Sequence, residues 1–179
     1  MRKVIKVNAS ISLTELKYRY AHDINDGMQD DSIHENTLTI PNPYSLQNAL
    51  DFIQLIKDFE SKHQVPKDWA IVKEGKMIGG IGLLYDFGVS AHLTEIGYWL
   101  HRDFRGNGMM TVVLKALSDF VFNETSHTKL LASVFEHNIA SSKALLNAGF
   151  EKEGIMNHHY LKNGSFLIHT PLRTSQIKA

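Results

Sequence analysis

Leu93-Thr94-Glu95-Ile96-Gly97-Tyr98-Trp99-Leu100, followed by His101-Arg102-Asp103-Phe104 and then Arg105-Gly106-Asn107-Gly108-Met109-Met110, is the stretch that decides the fold. The first eight residues are rich in β-branched and aromatic types and stop at a charged group, so they read as a buried strand. Beyond the glycines, Met110, Val113, Leu114, Leu117, Val121 and Phe122 recur at three- and four-residue spacing, one apolar stripe of a helix reaching about Thr125 without Gly or Pro. Two glycines let the backbone turn tightly and aim several N–H groups at one anion, and the helix adds the positive end of its dipole. Strand, glycine turn and helix in that order make a phosphate cradle, with a pyrophosphate as its natural guest. Taken alone, the turn reads equally well as a plain strand-to-helix connection.

Two better-known nucleotide loops are missing from the chain. It holds no G-K-[ST] of a P-loop, and no early G-x-G-x-x-G with an acidic residue downstream. A second signal lies at Asn138-Ile139-Ala140-Ser141-Ser142-Lys143-Ala144-Leu145-Leu146-Asn147-Ala148-Gly149-Phe150. Asn138 is a good N-cap, Ala144, Leu145 and Ala148 form an apolar side, and Gly149 suits the helix stop before a strand opens at Phe150.

Elsewhere the pattern predicts a strand near Lys3 to Ala9 and a helix from about Leu13 to Asn25. A polar turn at Asp26 to Asp31, a short helical piece and a loop through Pro41-Asn42-Pro43 follow. Ser45 then caps a helix whose Ala49, Phe52, Ile53, Ile56 and Phe59 share a face. Trp69 to Lys73 and Lys76 to Asp86 read as strands joined by Glu74-Gly75, forming an antiparallel meander with the Glu95 strand. Leu130 to Phe135 is a further strand, and Phe150 to Leu161 pairs with Phe166 to Arg173 across Lys162-Asn163-Gly164. In Gly79-Gly80-Ile81-Gly82 the glycines mark either a bulge or close backbone approach, or relief of sheet twist.

Composition narrows the class. A chain of 179 residues that is 43% hydrophobic suits a single globular domain spanning residues 1–179. Nineteen basic residues against nineteen acidic ones give no chain-wide attraction to nucleic acid or to an anionic membrane. No apolar run approaches the roughly 20 residues of a membrane span and no signal core opens the sequence, so a cytoplasmic protein is expected. Without cysteine there is no disulfide, no thiol nucleophile and no thiolate metal site. His158-His159 does not read as a metal site, because adjacent strand residues point to opposite faces.

The strand E-I-G-Y-W-L, the R-G-N-G turn and the N-x-x-S-x-x-x-L-x-x-x-G-F helix, in this order and spacing, resemble the GNAT N-acyltransferases, and most the branch of ribosomal-protein N-terminal acetyltransferases of the Rim type. The resemblance covers Trp69 to Arg173 well and the N-terminal third more loosely, where Asp31 to Tyr44 and the helix after it look like the variable acceptor-side segment. It implies an α/β (α+β) fold with a mixed, mostly antiparallel sheet of about seven strands, splayed in a V that takes acetyl-CoA and flanked by helices. It implies transfer of acetyl from acetyl-CoA to a primary amine, of a protein N-terminus or a small molecule, by direct attack in a ternary complex, with no metal and with a homodimer possible. The alternative is a GNAT fold that holds acyl-CoA as a non-catalytic sensor or scaffold.

Carried over position by position, the resemblance implies Leu100, Arg105, Gly106, Asn107, Gly108, Met109, Met110 and Asn138 as cofactor contacts. Met110 stands where the family usually has glycine or alanine. Ser141 is implied to protonate or stabilise the departing thiolate, and Glu95 to take the acceptor's proton, often through water. The structural readings beside these are a first-turn serine satisfying backbone and a strand-edge charge. An α-amine with a pKa of about 7.7 to 8.0 is partly neutral at cell pH, so a strong base is dispensable. His92, His101, His137, His158 and His159 compete for that role. Trp99 is expected in the core, and Tyr160 near the acceptor channel or in the core. The hairpin residues Ser165-Phe166-Leu167-Ile168-His169 lack the acidic residue that many Rim-like relatives carry there, so no acceptor is carried over.

Overall fold

The computed structural model describes residues 4–176. Its strands are β1 (Ile5–Lys6), β2 (Ile11–Glu15), β3 (Asp68–Lys73), β4 (Lys76–Tyr85), β5 (Leu93–Leu100), β6 (Lys129–Phe135), β7 (Glu151–Lys152), β8 (Met156–Lys162) and β9 (Ser165–Ser175). Its helices are α1 (Ala21–Gly27), α2 (Asp31–Glu35), α3 (Leu46–His63), α4 (Met109–Glu124) and α5 (Ile139–Asn147). The strands hydrogen-bond in the order β1-β2-β3-β4-β5-β6-β9-β7, with β8 also on β9. This is a mixed α/β fold with a mostly antiparallel sheet, nine strands among the described residues rather than about seven.

The chain divides into two compact units, and both β4 and β5 run from one into the other. The first comprises residues up to Leu83 together with Gly97–Met109. Here β1, β2, β3 and β4 form an antiparallel meander. The Ser45 side chain and backbone close a capping box with Asn48 at the start of α3. Ala49, Ile53 and Ile56 of that helix are buried with Ile24, Met28 and Ile33, while Phe52 flanks them half-buried.

Trp99 lies against this core in a slot made by glycines. A Cβ on Gly27 would stand 2.4 Å from Trp99 Cζ3, and one on Gly80 2.6 Å from Trp99 Nε1. A Cβ on Gly79 would meet the Trp99 carbonyl oxygen at 2.5 Å. The glycine run of β4 is therefore a place of close approach.

The second unit comprises Leu84–Ile96 and the residues from Met110 onward. In it, β5 and β6 pair in parallel, and β9 pairs antiparallel with β6, β7 and β8. Met110, Val113, Leu114, Leu117, Val121 and Phe122 of α4 are all buried, as the stripe requires. Leu130, Ala132 and Val134 are buried at the alternate positions of β6. Asn163 and Gly164 take φ of 51° and 77°, the left-handed pair a tight hairpin turn needs.

Three expectations give way. The span from Leu13 to Asn25 opens as β2, not as helix, with Ile11 and Leu13 buried at period two and Glu15 paired with Trp69. Asn8 ends β1 early by accepting the N–H groups of Ser10 and Ile11, both at 2.9 Å, which turns the chain into β2. Lys3, the first residue of the expected opening strand, lies outside the described residues. The strand read from Phe150 to Leu161 is two strands, because Glu153-Gly154-Ile155 interrupts it and β8 bulges between Met156 and Tyr160.

Gly27→Ala or Gly80→Ala is expected to cost about 1–3 kcal/mol by driving a methyl into the Trp99 ring. In urea unfolding, each should cost markedly less once Trp99 is replaced by Leu. Equal costs in both backgrounds would mean that the ring does not set the need for glycine.

Candidate active site

The glycine turn opens α4, a 16-residue helix with no acidic residue in its first turn. Gly106 and Gly108 both adopt positive φ, 81° and 70°, and Arg105 to Gly108 are exposed. A Cβ on either glycine would meet nothing within 4 Å, so the backbone conformation alone asks for glycine there. The first N–H groups of a helix have no carbonyl partner within it. These residues fit a phosphate group.

Arg105 is used otherwise than its position suggests. Its Nη2 pairs with Asp30 Oδ2 at 2.9 Å, its Nη1 donates to Ser32 Oγ at 2.8 Å, and its Nε donates to the Leu100 carbonyl at 2.8 Å. Asp30 is also the N-cap of α2, accepting the Ser32 N–H at 3.0 Å. Burial pushes the Asp30 carboxyl up, but the Ser32 hydrogen bonds and the Arg105 charge outweigh it and hold the group below the usual carboxylate range. Leu100 is buried beneath this tie, Asn107 is exposed, Met109 is half-buried and Met110 is turned into the core.

In the second unit, the β5–β6 ladder covers Leu93, Thr94 and Glu95 against Lys129, Leu130 and Leu131, while each strand continues beyond it. Glu95 closes this ladder, half-buried. Asn138 Oδ1 accepts the Ser141 N–H at 3.1 Å and so caps α5, which leaves Ser141 half-buried in the first turn. Thr111 Oγ1 donates to the Ala144 carbonyl at 3.4 Å, tying the first turn of α4 to α5.

Where β6, β8 and β9 meet, Phe135, His159, Tyr160 and His169 pack ring against ring. His169 was absent from the histidines singled out in the sequence. Its signal was a lone polar residue in the apolar run Phe166-Leu167-Ile168, continued by β9 into the buried His169 and Thr170. Of those singled out, His101 bridges Asp26 and Asp103 at 3.3 and 3.5 Å, and His158 packs on Phe166. Asp30 carried no signal at all, since its partner lies 75 positions along the chain.

Comparison with known proteins bears on this arrangement. A family model described as an acetyltransferase (GNAT) domain matches residues 12–151. A probable N-acetyltransferase of Bacillus subtilis (strain 168), YjcK, is 30% identical over 99 residues, which is 55% of this chain and 55% of that protein. The alignment thus spans about half the length of that relative. Among solved structures, the microcin C7 self-immunity acetyltransferase MccE, in complex with acetyl-CoA and AMP, has a TM-score of 0.84 at 19% identity, covering 96% of this chain and 95% of that one. RimL, a ribosomal L7/L12 α-N-protein acetyltransferase in complex with coenzyme A, has a TM-score of 0.85 at 16% identity, covering 97% and 98%. No helix among the described residues is long and apolar enough to cross a membrane.

Asp30→Asn is expected to speed amide hydrogen exchange at Gly106, Asn107 and Gly108. A carboxylate depressed in the folded state stabilises above its unfolded pKa and ceases to do so as pH falls through its folded value. The difference in unfolding free energy between wild type and Asp30→Asn should therefore be full near neutrality and shrink as pH drops below about 4. A difference constant from pH 7 to pH 2 would remove the ion pair as its source.

Proposed function

Because the chain belongs to the GNAT acetyltransferase family, we propose that it transfers the acetyl group of acetyl-CoA to a primary amine by direct attack in a ternary complex. The observation that carries this reading is the Gly106–Gly108 turn at the head of an α4 first turn free of carboxylates. Backbone N–H groups of Gly106, Asn107, Gly108, Met109 and Met110 would hold the pyrophosphate. Arg105 acts by fixing the turn through Asp30 and Leu100, and Asn138 by starting α5 at the right residue.

The chemical roles go to two side chains of the second unit. Glu95 accepts the proton of the acceptor ammonium, and Ser141 donates a hydrogen bond or proton to the departing thiolate. The chain contains no cysteine, so no acyl-cysteine intermediate forms. Phe135 and His169 are buried in a ring cluster with the half-buried Tyr160.

Calorimetric titration with acetyl-CoA, followed by peptides beginning with Ser, Ala or Met and by spermidine while free CoA is measured, tests the reading. Binding with CoA release is expected; binding without release on every amine would favour a sensor, and no binding would overturn the cradle. Gly108→Asp should abolish binding through strain and negative charge. Ser141→Ala should keep binding and lower turnover by about 10- to 1,000-fold.

A further inference from the structure

His101 follows the last residue of β5, and both its backbone and its ring are engaged. Its N–H donates to the Ile78 carbonyl of β4 at 2.8 Å, and its own carbonyl accepts the Phe104 N–H at 3.0 Å. Its ring caps the 3-10 turn Arg102–Phe104, with Nδ1 accepting the Asp103 N–H at 3.3 Å. Its Nε2 lies 3.3 Å from Asp26 Oδ2 of α1. The turn ends on Arg105, whose N–H donates to the Arg102 carbonyl at 3.2 Å and whose Nε donates to the Leu100 carbonyl at 2.8 Å. Gly106 comes next, so the capped turn sets where the glycines begin.

A ring nitrogen that accepts an N–H carries no proton of its own. Nδ1 is therefore the bare nitrogen of a neutral imidazole, and the ring proton sits on Nε2, facing Asp26. The hydrogen-bond network thus assigns the tautomer. The preferred caps, Ser, Thr, Asp and Asn, accept through an oxygen that stays an acceptor at neutral pH. A histidine cap differs in that a proton can take its lone pair away.

Asp103 Oδ2 stands 3.5 Å from that same Nδ1. Once Nδ1 takes a proton from water, the Asp103 N–H loses its acceptor and the ring donates to two carboxylates, Asp26 and Asp103. One protonation exchanges a backbone cap for an ion pair. The charged groups set against the ring are these two, one from α1 and one from the turn itself. Asp23, also on α1, accepts the Met77 N–H of β4 instead. The Phe104 ring lies edge-on to the imidazole at 6.1 Å, and Lys73 of β3 lies over that phenyl ring at 6.0 Å.

We propose that His101 is a positioning residue for the glycine turn, holding it in the acetyl-CoA-binding arrangement while its ring is neutral and releasing it when the ring is protonated. This rests on the acetyltransferase reading above. Acid then weakens acetyl-CoA binding through a residue that does not touch the cofactor. With both ring nitrogens engaged, His101 serves the turn rather than the acceptor amine.

His101→Asn separates the cap from the proton, because its Oδ1 can accept the Asp103 N–H and an amide does not titrate. Acetyl-CoA is titrated calorimetrically into the full-length wild type and this variant at about pH 8 and about pH 5.5, either side of an imidazole's usual charge change. The two proteins should bind alike at the higher pH. At the lower one, wild type should bind about 3- to 10-fold more weakly than the variant, the worth of one cap. Comparing the two proteins cancels the titration of the cofactor's own phosphates. An affinity ratio that is the same at both pH values would overturn the proposal. His101→Leu, which can neither cap nor titrate, should bind weakly throughout, and wild-type affinity in it at about pH 8 would show that the ring does not position the turn.

The Asp103 amide resonance, followed without cofactor over the same pH range, should move in wild type and stay in place in His101→Asn. An amide that behaves alike in both would overturn the cap exchange even if acetyl-CoA binds. Movement in wild type alone, with neither protein binding acetyl-CoA at either pH, would instead remove the acetyltransferase reading, and the positioning role with it.

Discussion

The segment from Gly97 to Met109 is held by three side chains that reach back into the N-terminal third, and everything proposed for the turn depends on that grip. Trp99 fills a slot that only glycine leaves open at positions 27 and 80. Two residues on, the His101 N–H donates to the Ile78 carbonyl at 2.8 Å while its ring pairs with Asp26. Arg105 closes the series on Asp30, Ser32 and the Leu100 carbonyl. With these anchors in place, the glycines hold a left-handed backbone at an exposed surface in a single arrangement.

The acidic residues of the α1–α2 region take on a structural meaning from the same contacts. Asp23 accepts the Met77 N–H at 3.2 Å, Asp26 faces His101, and Asp30 faces Arg105. Carboxylates that looked like a solvated polar turn are clamps on strand β4, on the end of β5 and on the glycine turn. The positive end of α4 has no carboxylate within its own first turn, and the arginine that leads into it, Arg105, is paired with Asp30.

The elements most legible in the sequence were those whose signals are local. The Ser45 and Asn138 caps, the Glu74-Gly75 and Asn163-Gly164 turns and the α4 stripe each depend on residues a few positions apart, and each stands where the pattern put it. Strand β2 was misread because Leu13, Leu16, Tyr20 and Ile24 also recur at helical spacing, and only pairing with β3 selects the strand for its first residues. Arg105 was placed correctly in the turn but its partner could not be foreseen, since an ion pair between a carboxylate and a guanidinium 75 positions apart leaves no periodicity. His169 escaped notice for the opposite reason: its burial comes from being sandwiched between rings of another strand, which a single polar letter in an apolar run does not reveal.

Strand β9 pairs with β6, β7 and β8. During synthesis, β6 is made about forty residues before the end of its partner, so at roughly 5–20 residues per second it waits on the order of 2–8 s with that edge unpaired. The waiting strand, Lys129-Leu130-Leu131-Ala132-Ser133-Val134-Phe135, carries one charge, at its start. A short apolar strand with a bare edge is a template for pairing with another chain. The nascent polypeptide is most vulnerable to misassembly in that interval, after the glycine turn has left the ribosome and before the last strand arrives to cover it.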